Sequence, residues 1–168
     1  MKLSFLKYKT SLLIKKQKSS RNSVPYKNAL TAGIIFTVED KQKHFAIKEF
    51  IKKLESDGKH VQVLEFLPAE TENFEFRFDF FTEKDVTFWG NLNSENAIQF
   101  ADAPFDFLFY LDLEPNLMIL NILARSNAKC RVGRFFDEGE PYLDFMVNSV
   151  SNTQALLEAL YKYVSQLK

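Results

Sequence analysis

Two apolar runs, residues 32–38 and 60–66, are separated by a helical pattern in this sequence. The first run is almost continuously apolar, which is typical of a parallel strand that is covered on both faces. Asp40 and Gly58 suit the N-terminal and C-terminal ends of the intervening helix. Two parallel strands joined through a helix form a right-handed crossover unit, so the pattern predicts an α/β fold. The apolar face of that helix carries Ile47, Phe50, Ile51 and Leu54.

Strands and helices continue to alternate toward the end of the chain. Apolar runs at 105–111, 130–133 and 142–147 predict three further strands. A chain of 168 residues is the size of one domain. We therefore predict a three-layer, Rossmann-like α/β domain with a mostly parallel sheet of about five strands.

Two more helices are predicted in the second half of the chain. Pro115 suits the first turn of a helix, with Glu114 at its positive end. Ser151 and Gln154 have the spacing of a capping box and predict the start of the last helix. The buried stripe of the first of these helices is predicted to be Leu117, Leu120, Leu123 and Ala124.

Phenylalanine is abundant, with 18 residues, and it alternates strictly with charged residues over 74–80. Period-two alternation predicts a strand with one dry face, either at a sheet edge or as an arm over the core. The pattern resembles aromatic surfaces that stack single-stranded bases. However, the intervening residues Glu75, Arg77 and Asp79 sum to a charge of −1, so core packing is favoured.

The formal net charge is zero, but the charges are distributed unevenly. Residues 1–38 hold 8 of the 22 basic residues and no acidic residue. The rest of the chain contains 14 basic and all 22 acidic residues, which gives it a net charge of −8. Residues 3–18 read as a basic amphipathic helix, followed by a break at 19–23. We expect an N-terminal helix and linker over 1–27 and a single α/β domain over 28–168.

The basic helix has three possible partners. It can dock on the acidic body of its own domain, contact an anionic membrane peripherally, or contact RNA. Docking is favoured, because the apolar face of the helix is narrow. The balanced overall charge argues against a specific nucleic-acid binder.

The usual signatures of cofactor, metal and nucleophile chemistry are missing. The turn after the first strand, residues 37–41, lacks the glycines that cradle a dinucleotide and contains two carboxylates. His44 and His60 have no histidine or cysteine at ligand spacing, and we expect both at the surface. Cys130, the one cysteine, opens an apolar run and is expected in the core. We predict no catalytic residues, no metal site and no cofactor.

Candidate ligand-binding residues stand where predicted strands end. In an open α/β sheet, ligands bind beyond the carboxyl ends of the strands. Asp112 and Asn116 follow the strand at 105–111, and Arg134 follows the strand at 130–133. The alternative is structural, with acids and amides capping helices and Arg134 pairing with a nearby carboxylate, Asp137 or Glu138.

Four segments resemble a family of small bacterial proteins of unknown function, of a type associated with the Bacteroidota. They are FDFLFYLDL at 105–113, SNAKCRVG at 126–133, KDVTFWG at 84–90 and YKYV at 161–164. The resemblance covers residues 75–165. It implies an α/β domain and no known activity.

A second resemblance is to the N-terminal Rossmann-like half of heptosyltransferase-type GT-B glycosyltransferases. Residues 112–117 are similar to the turn that ends a strand in that half, and residues 128–133 are similar to its Ala-Lys-x-Arg-Val-Gly-like strand. This resemblance implies shared architecture rather than transfer activity.

These observations predict a non-catalytic cytoplasmic protein or interaction module, and they leave open both a protein partner and a small-molecule ligand. A chain with one cysteine fits a reducing compartment, and no apolar run is long enough to cross a bilayer. The alternative is a small-molecule or sugar-nucleotide binder, related to a glycosyltransferase half-domain, that uses Asp112, Asn116 and Arg134.

Overall fold

The computed structural model describes residues 1–16, 21–75, 77–148 and 150–168. Over these residues the chain forms one six-stranded sheet in the order β3-β2-β1-β4-β5-β6, and each neighbouring pair of strands is parallel. The strands are β1 (Thr31–Thr37), β2 (His60–Phe66), β3 (Asp79–Phe81), β4 (Phe107–Tyr110), β5 (Arg131–Arg134) and β6 (Phe145–Val147). The helices are α1 (Lys2–Lys16), α2 (Lys41–Ser56), α3 (Glu95–Asp102), α4 (Leu117–Arg125) and α5 (Thr153–Val164).

Helices cover both faces of the sheet and form two cores. On one face, α2 and α5 pack over β1 through Ile34 and Phe36. On the other face, α3 and α4 pack over Ile35, and Leu6 of α1 belongs to the same core. Strands buried on both faces are almost continuously apolar, as β1 and β4 are. The predicted three-layer α/β fold is confirmed, with one strand more than expected.

Helix α1 docks on this body. Leu6 is 1% exposed, and the buried Asn121 of α4 donates a hydrogen bond from Nδ2 to Thr10 Oγ1 at 2.9 Å. The expected end of the helix at residue 18 and the start of the break at 19–20 lie outside the described residues. The domain boundary between residues 27 and 28 stays a prediction. No helix within the described residues combines the length and the apolar character needed to span a bilayer.

The expectation of a strand over residues 74–80 is wrong for most of that segment. Only Asp79 and Phe80 belong to a strand, β3, and Phe76 lies outside the described residues. The pairing with β2 places Phe81 opposite Phe66 and buries it, while Phe80 stays 42% exposed. Alternation along one segment does not set its register, because the partner strand decides which residues pair.

His44, which we expected at the surface, and Arg131 are both buried. His44 is 8% exposed, and its ring lies within 6 Å of the ring centres of Phe74 and Phe78. Arg131 is 4% exposed and binds the Asp144 carboxylate through Nε at 3.0 Å and Nη2 at 3.1 Å. His60 is exposed and Cys130 is buried, as expected.

The cap of the last helix differs from the predicted capping box. The Asn152 side chain accepts the hydrogen bond from the amide of Ala155 at 2.8 Å and so caps α5 in place of Ser151. Asparagine and serine are about equally good N-caps, so the choice depends on where the backbone turns into the helix.

Candidate functional site

The strand order reverses between β1 and β4. From β1 the chain continues to β2 and β3 on one side, and from β4 it continues to β5 and β6 on the other. Folds with this order bind ligands at the carboxyl ends of the two central strands, where the loops diverge. Thr37 and Asp112 stand at this switch point, at the end of β1 and just after β4.

Asp112 is held by groups of the chain itself. Its Oδ1 accepts hydrogen bonds from the Thr37 amide at 2.8 Å and from Lys43 Nζ at 2.7 Å. Its Oδ2 accepts from the Thr37 hydroxyl at 2.7 Å. Lys43 Nζ also donates to the carbonyl oxygen of Thr37 at 2.8 Å and lies 3.3 Å from the Glu39 carboxylate. Because both carboxylate oxygens are engaged, Asp112 ties β1, β4 and α2 together.

Asn116 joins the same network and also begins a helix. Its Nδ2 donates to Thr37 Oγ1 at 2.9 Å, and its Oδ1 accepts from the amide of Met118 at 2.9 Å. Helix α4 therefore begins two residues after Pro115, with Asn116 as its N-cap. The Tyr110 hydroxyl accepts from the Asn116 amide at 2.9 Å, and burial raises the pKa of Tyr110 well above its ordinary value.

Arg134 lies at the end of β5 and bonds to main-chain groups. Its Nε donates to the carbonyl of Val150 at 3.1 Å, and its Nη1 donates to the carbonyl of Leu113 at 3.0 Å. It therefore links the loop after β4 to the loop before α5. The expected alternative, a pairing with Asp137 or Glu138, is absent from the ion pairs among the described residues.

An open pocket of about 450 Å³ lies beside this network, between the N-termini of α2 and α5. None of the three predicted ligand residues is among its described lining residues, although Lys43 and Leu113 are. The start of α2 contributes two carboxylates and an amide to the lining, and the start of α5 contributes hydroxyls and amides. These polar residues are Glu39, Asp40, Gln42, Ser151, Asn152, Thr153 and Gln154. Phe45, Ala46 and Leu113 form the apolar part of the lining. The hydroxyl and amide groups of this lining can hydrogen-bond a polyhydroxylated small molecule, while the carboxylates of Glu39 and Asp40 disfavour a phosphate at the N-terminus of α2.

The structure thus brings together Asp112 and Asn116 but uses them for internal contacts. Their role in ligand binding stays a prediction. Thr37 and Lys43, which complete the network, were missed. One signal in the sequence could have identified Lys43, because it falls on the buried stripe of α2, at helical spacing from Ile47, Phe50 and Leu54.

No group of three or more His, Cys, Asp or Glu residues within the described part of the chain could hold a metal ion. Burial raises the pKa of the Cys130 thiol to about 11, so this cysteine stays protonated at neutral pH.

Within the described part of the chain, two further titratable residues are buried and have no hydrogen-bond partner. They are Glu65 on β2, which is fully buried, and His44 on α2. Burial raises the pKa of Glu65 to about 7, with the negative charge of Glu75 as the second cause. Burial, and then the positive charge of Lys48, lower the pKa of His44. Both groups therefore favour their neutral forms inside the fold.

We expect Glu65 to make the protein less stable as the pH rises. The folded state keeps the Glu65 proton up to a pKa of about 7, while the unfolded chain releases it near 4.5. The free energy of unfolding should therefore fall between these pH values, by at most about 3 kcal/mol. Glu65→Gln should remove this decline, so that the variant equals the parent at pH 4 and exceeds it at pH 8 in urea denaturation.

His44→Leu is the companion to Glu65→Gln. The lowered pKa of His44 makes the folded protein less stable as the pH falls, whereas the raised pKa of Glu65 makes it less stable as the pH rises. The unfolded chain takes up a proton at His44 before the folded protein does, so the substitution should stabilise the fold increasingly below pH 6.5. If both variants followed the pH dependence of the parent protein, the neutral forms assigned to these buried groups would be wrong.

Comparison with known families identifies the family of this chain. The model of a family of unknown function, DUF6913, matches residues 2–167, which is nearly the whole chain and includes α1 as well as the sheet. No curated protein matches the sequence. The glycosyltransferase resemblance therefore has no support from these comparisons. The chain belongs to the DUF6913 family of unknown function.

Proposed function

We propose that this chain is a non-catalytic interaction module built on a Rossmann-like scaffold. The observation that supports this most strongly is the ion pair at the switch point, where Lys43 Nζ lies 2.7 Å from Asp112 and both side chains are 4% exposed or less. In related architectures this position receives a ligand. Here the protein's own ammonium and carboxylate groups occupy it.

A second observation favours binding through the surface. Large apolar side chains are exposed on α1 and on the turn beside it, including Tyr8, Phe88 and Trp89, each of which is more than half exposed. Exposed aromatic clusters of this kind often mark interaction sites. The lone, buried Cys130 is consistent with the cytoplasmic location that we include in the proposal.

The pocket between α2 and α5 supports a second candidate function, a small-molecule or sugar-nucleotide binder related to a glycosyltransferase half-domain. Its hydroxyl and amide groups could contact sugar hydroxyls. Asp112, Asn116 and Arg134 would then act from behind the pocket, by holding the loops that form its walls.

Thermal shift measurements distinguish the two functions. A panel of nucleotides, nucleotide sugars and free sugars should leave the melting temperature unchanged if the chain is an interaction module. A ligand at 100 times its Kd would add about 2.7 kcal/mol, which corresponds to a shift of roughly 5–10 °C for a chain of this size. Such a shift would support the binder instead, provided that Ser151→Arg, at the pocket wall, abolishes it. Ser56→Arg, at the far end of α2, is the control and should leave it intact.

A further inference from the structure

One surface of the molecule combines exposed apolar side chains with an excess of positive charge. We call it the α1 face, and it consists of the outward side of α1 together with the turn at residues 86–91. Trp89 and Tyr8 are both 62% exposed, although large aromatic side chains are usually more than half buried. The other exposed apolar residues of the α1 face are Leu3, Leu12 and Phe88.

The turn is attached to α1 by several contacts. The ring of Phe5 lies 5.6 Å from that of Trp89 and 6.2 Å from that of Phe88, measured between ring centres. Lys9 Nζ donates to the side chain of Asn91. The two aromatic rings of the turn are thus held beside the helix, and their exposure is a property of the packed structure.

The lysines of α1 give the α1 face a positive charge, and only Lys2 among them lies near a carboxylate, that of Glu83 at 3.9 Å, among the described ion pairs. The sequence of α1 contains Lys2, Lys7, Lys9, Lys15 and Lys16 and no acidic residue. Lys7 and Lys15 point outward, and neither forms an ion pair with a described residue. At 3.6 residues per turn, Lys15 lies beside Tyr8 and Leu12 around the helix axis, and Lys7 lies beside Leu3. Cationic and apolar groups are thus interspersed over the exposed side of the helix.

We propose that the α1 face binds to the surface of an anionic lipid bilayer. This inference rests on the proposed function and names the partner of the interaction module. Lysines attract anionic headgroups, while tryptophan, tyrosine and leucine side chains enter the region between headgroups and acyl chains. The aliphatic residues Leu3 and Leu12 favour lipid over RNA, since they offer no flat ring on which a base can stack.

Tryptophan fluorescence tests the proposal directly, because Trp89 is the only tryptophan in the chain. We expect a blue shift and a rise in intensity when the full-length protein meets phosphatidylcholine vesicles that contain one quarter phosphatidylserine. Vesicles of pure phosphatidylcholine should produce a much smaller change. Brominated acyl chains should quench the emission if Trp89 inserts.

Two charge-reversal variants separate a specific surface from general attraction. Lys7→Glu combined with Lys15→Glu should weaken vesicle binding by about 25-fold or more, since each lysine near such a surface contributes roughly fivefold. Lys41→Glu combined with Lys162→Glu makes the same change in charge on α2 and α5, across the sheet, and should bind within twofold of the parent protein. Circular dichroism should show that both variants are folded, because all four lysines are exposed.

Several results would overturn the assignment. A Trp89 spectrum that does not respond to anionic vesicles excludes insertion, and equal losses in the two double variants exclude a specific face. Binding of polyuridylate RNA that is tighter than vesicle binding, and is lost in the Lys7 and Lys15 variant, would identify RNA as the partner. That result would keep the proposed interaction module and reject the lipid bilayer as its partner. A thermal shift caused by a nucleotide or sugar would instead contradict the interaction module itself.

Discussion

Replacing Asp112 with alanine is expected to lower the free energy of unfolding by about 3–5 kcal/mol. The substitution leaves the buried ammonium of Lys43 without its 2.7 Å carboxylate partner, and it also removes the acceptor of the Thr37 amide. Glu39 can compensate only in part, because its carboxylate lies 3.3 Å from Lys43 and is about half exposed. Chemical denaturation at pH 7 measures the loss.

The control replaces both charges with apolar groups. Lys43→Met combined with Asp112→Leu should recover most of the stability, because breaking a buried ion pair is more destabilising than removing both partners. A loss below 1 kcal/mol for Asp112→Ala would show that the carboxylate is not committed to internal contacts. That result would favour the alternative role of Asp112 as a ligand-binding residue.

Replacing Gly90 with alanine is expected to be the second most damaging change and to detach α1. Gly90 has a φ of +75°, which strains any other residue by about 1–2 kcal/mol. In addition, its Cβ would collide with the backbone of α1 at Phe5 and Leu6. A backbone cannot move aside as the end of a side chain can, so the helix and the turn must separate. Hydrogen exchange should then show loss of protection in α1.

Gly58 provides a matched control for this prediction. Its φ of +84° is similar, but a Cβ there meets no atom within 4 Å. The loss of stability in Gly58→Ala should therefore come from backbone strain alone. The additional loss in Gly90→Ala is then the cost of the collision between its Cβ and the backbone of α1. Equal destabilisation, with α1 still protected in Gly90→Ala, would contradict the docking that places Trp89 on the α1 face.

The strand–helix–strand unit was predictable because its signals are local. The buried runs of β1 and β2 have the length and composition of covered parallel strands, and Asp40 caps α2 as expected, with its carboxylate accepting from the Lys43 amide at 2.8 Å. The prediction of a strand over residues 74–80 failed because the neighbouring strand, β2, determines which of these residues pair. Residues 74–80 alternate perfectly, yet β2 pairs only with Asp79–Phe81.

The position of the candidate site in the fold was predictable, but the groups that bind its side chains were not. Asp112 and Asn116 were expected beyond the carboxyl end of a central strand, and they lie there. Thr37, however, is 75 residues away from Asp112 along the chain, and Lys43 is 69 residues away. No pattern of neighbouring residues in the sequence predicts that Thr37, Lys43 and Asp112 are in contact. Arg131 and His44 show the same limitation, since polar residues at helix and strand positions become buried only when other segments cover them.

The amino-acid sequence by itself determined the alternation of strands and helices, the layered α/β class and the basic character of the first helix. These depend on hydrophobic periodicity and on residue types near one another in the chain. The tertiary structure alone decided that Lys43 neutralises Asp112 at the switch point, that α1 packs against α4, and that Trp89 remains exposed beside it. Each of these depends on contacts between distant segments, whose partners are set only when the whole sheet and its covering helices assemble.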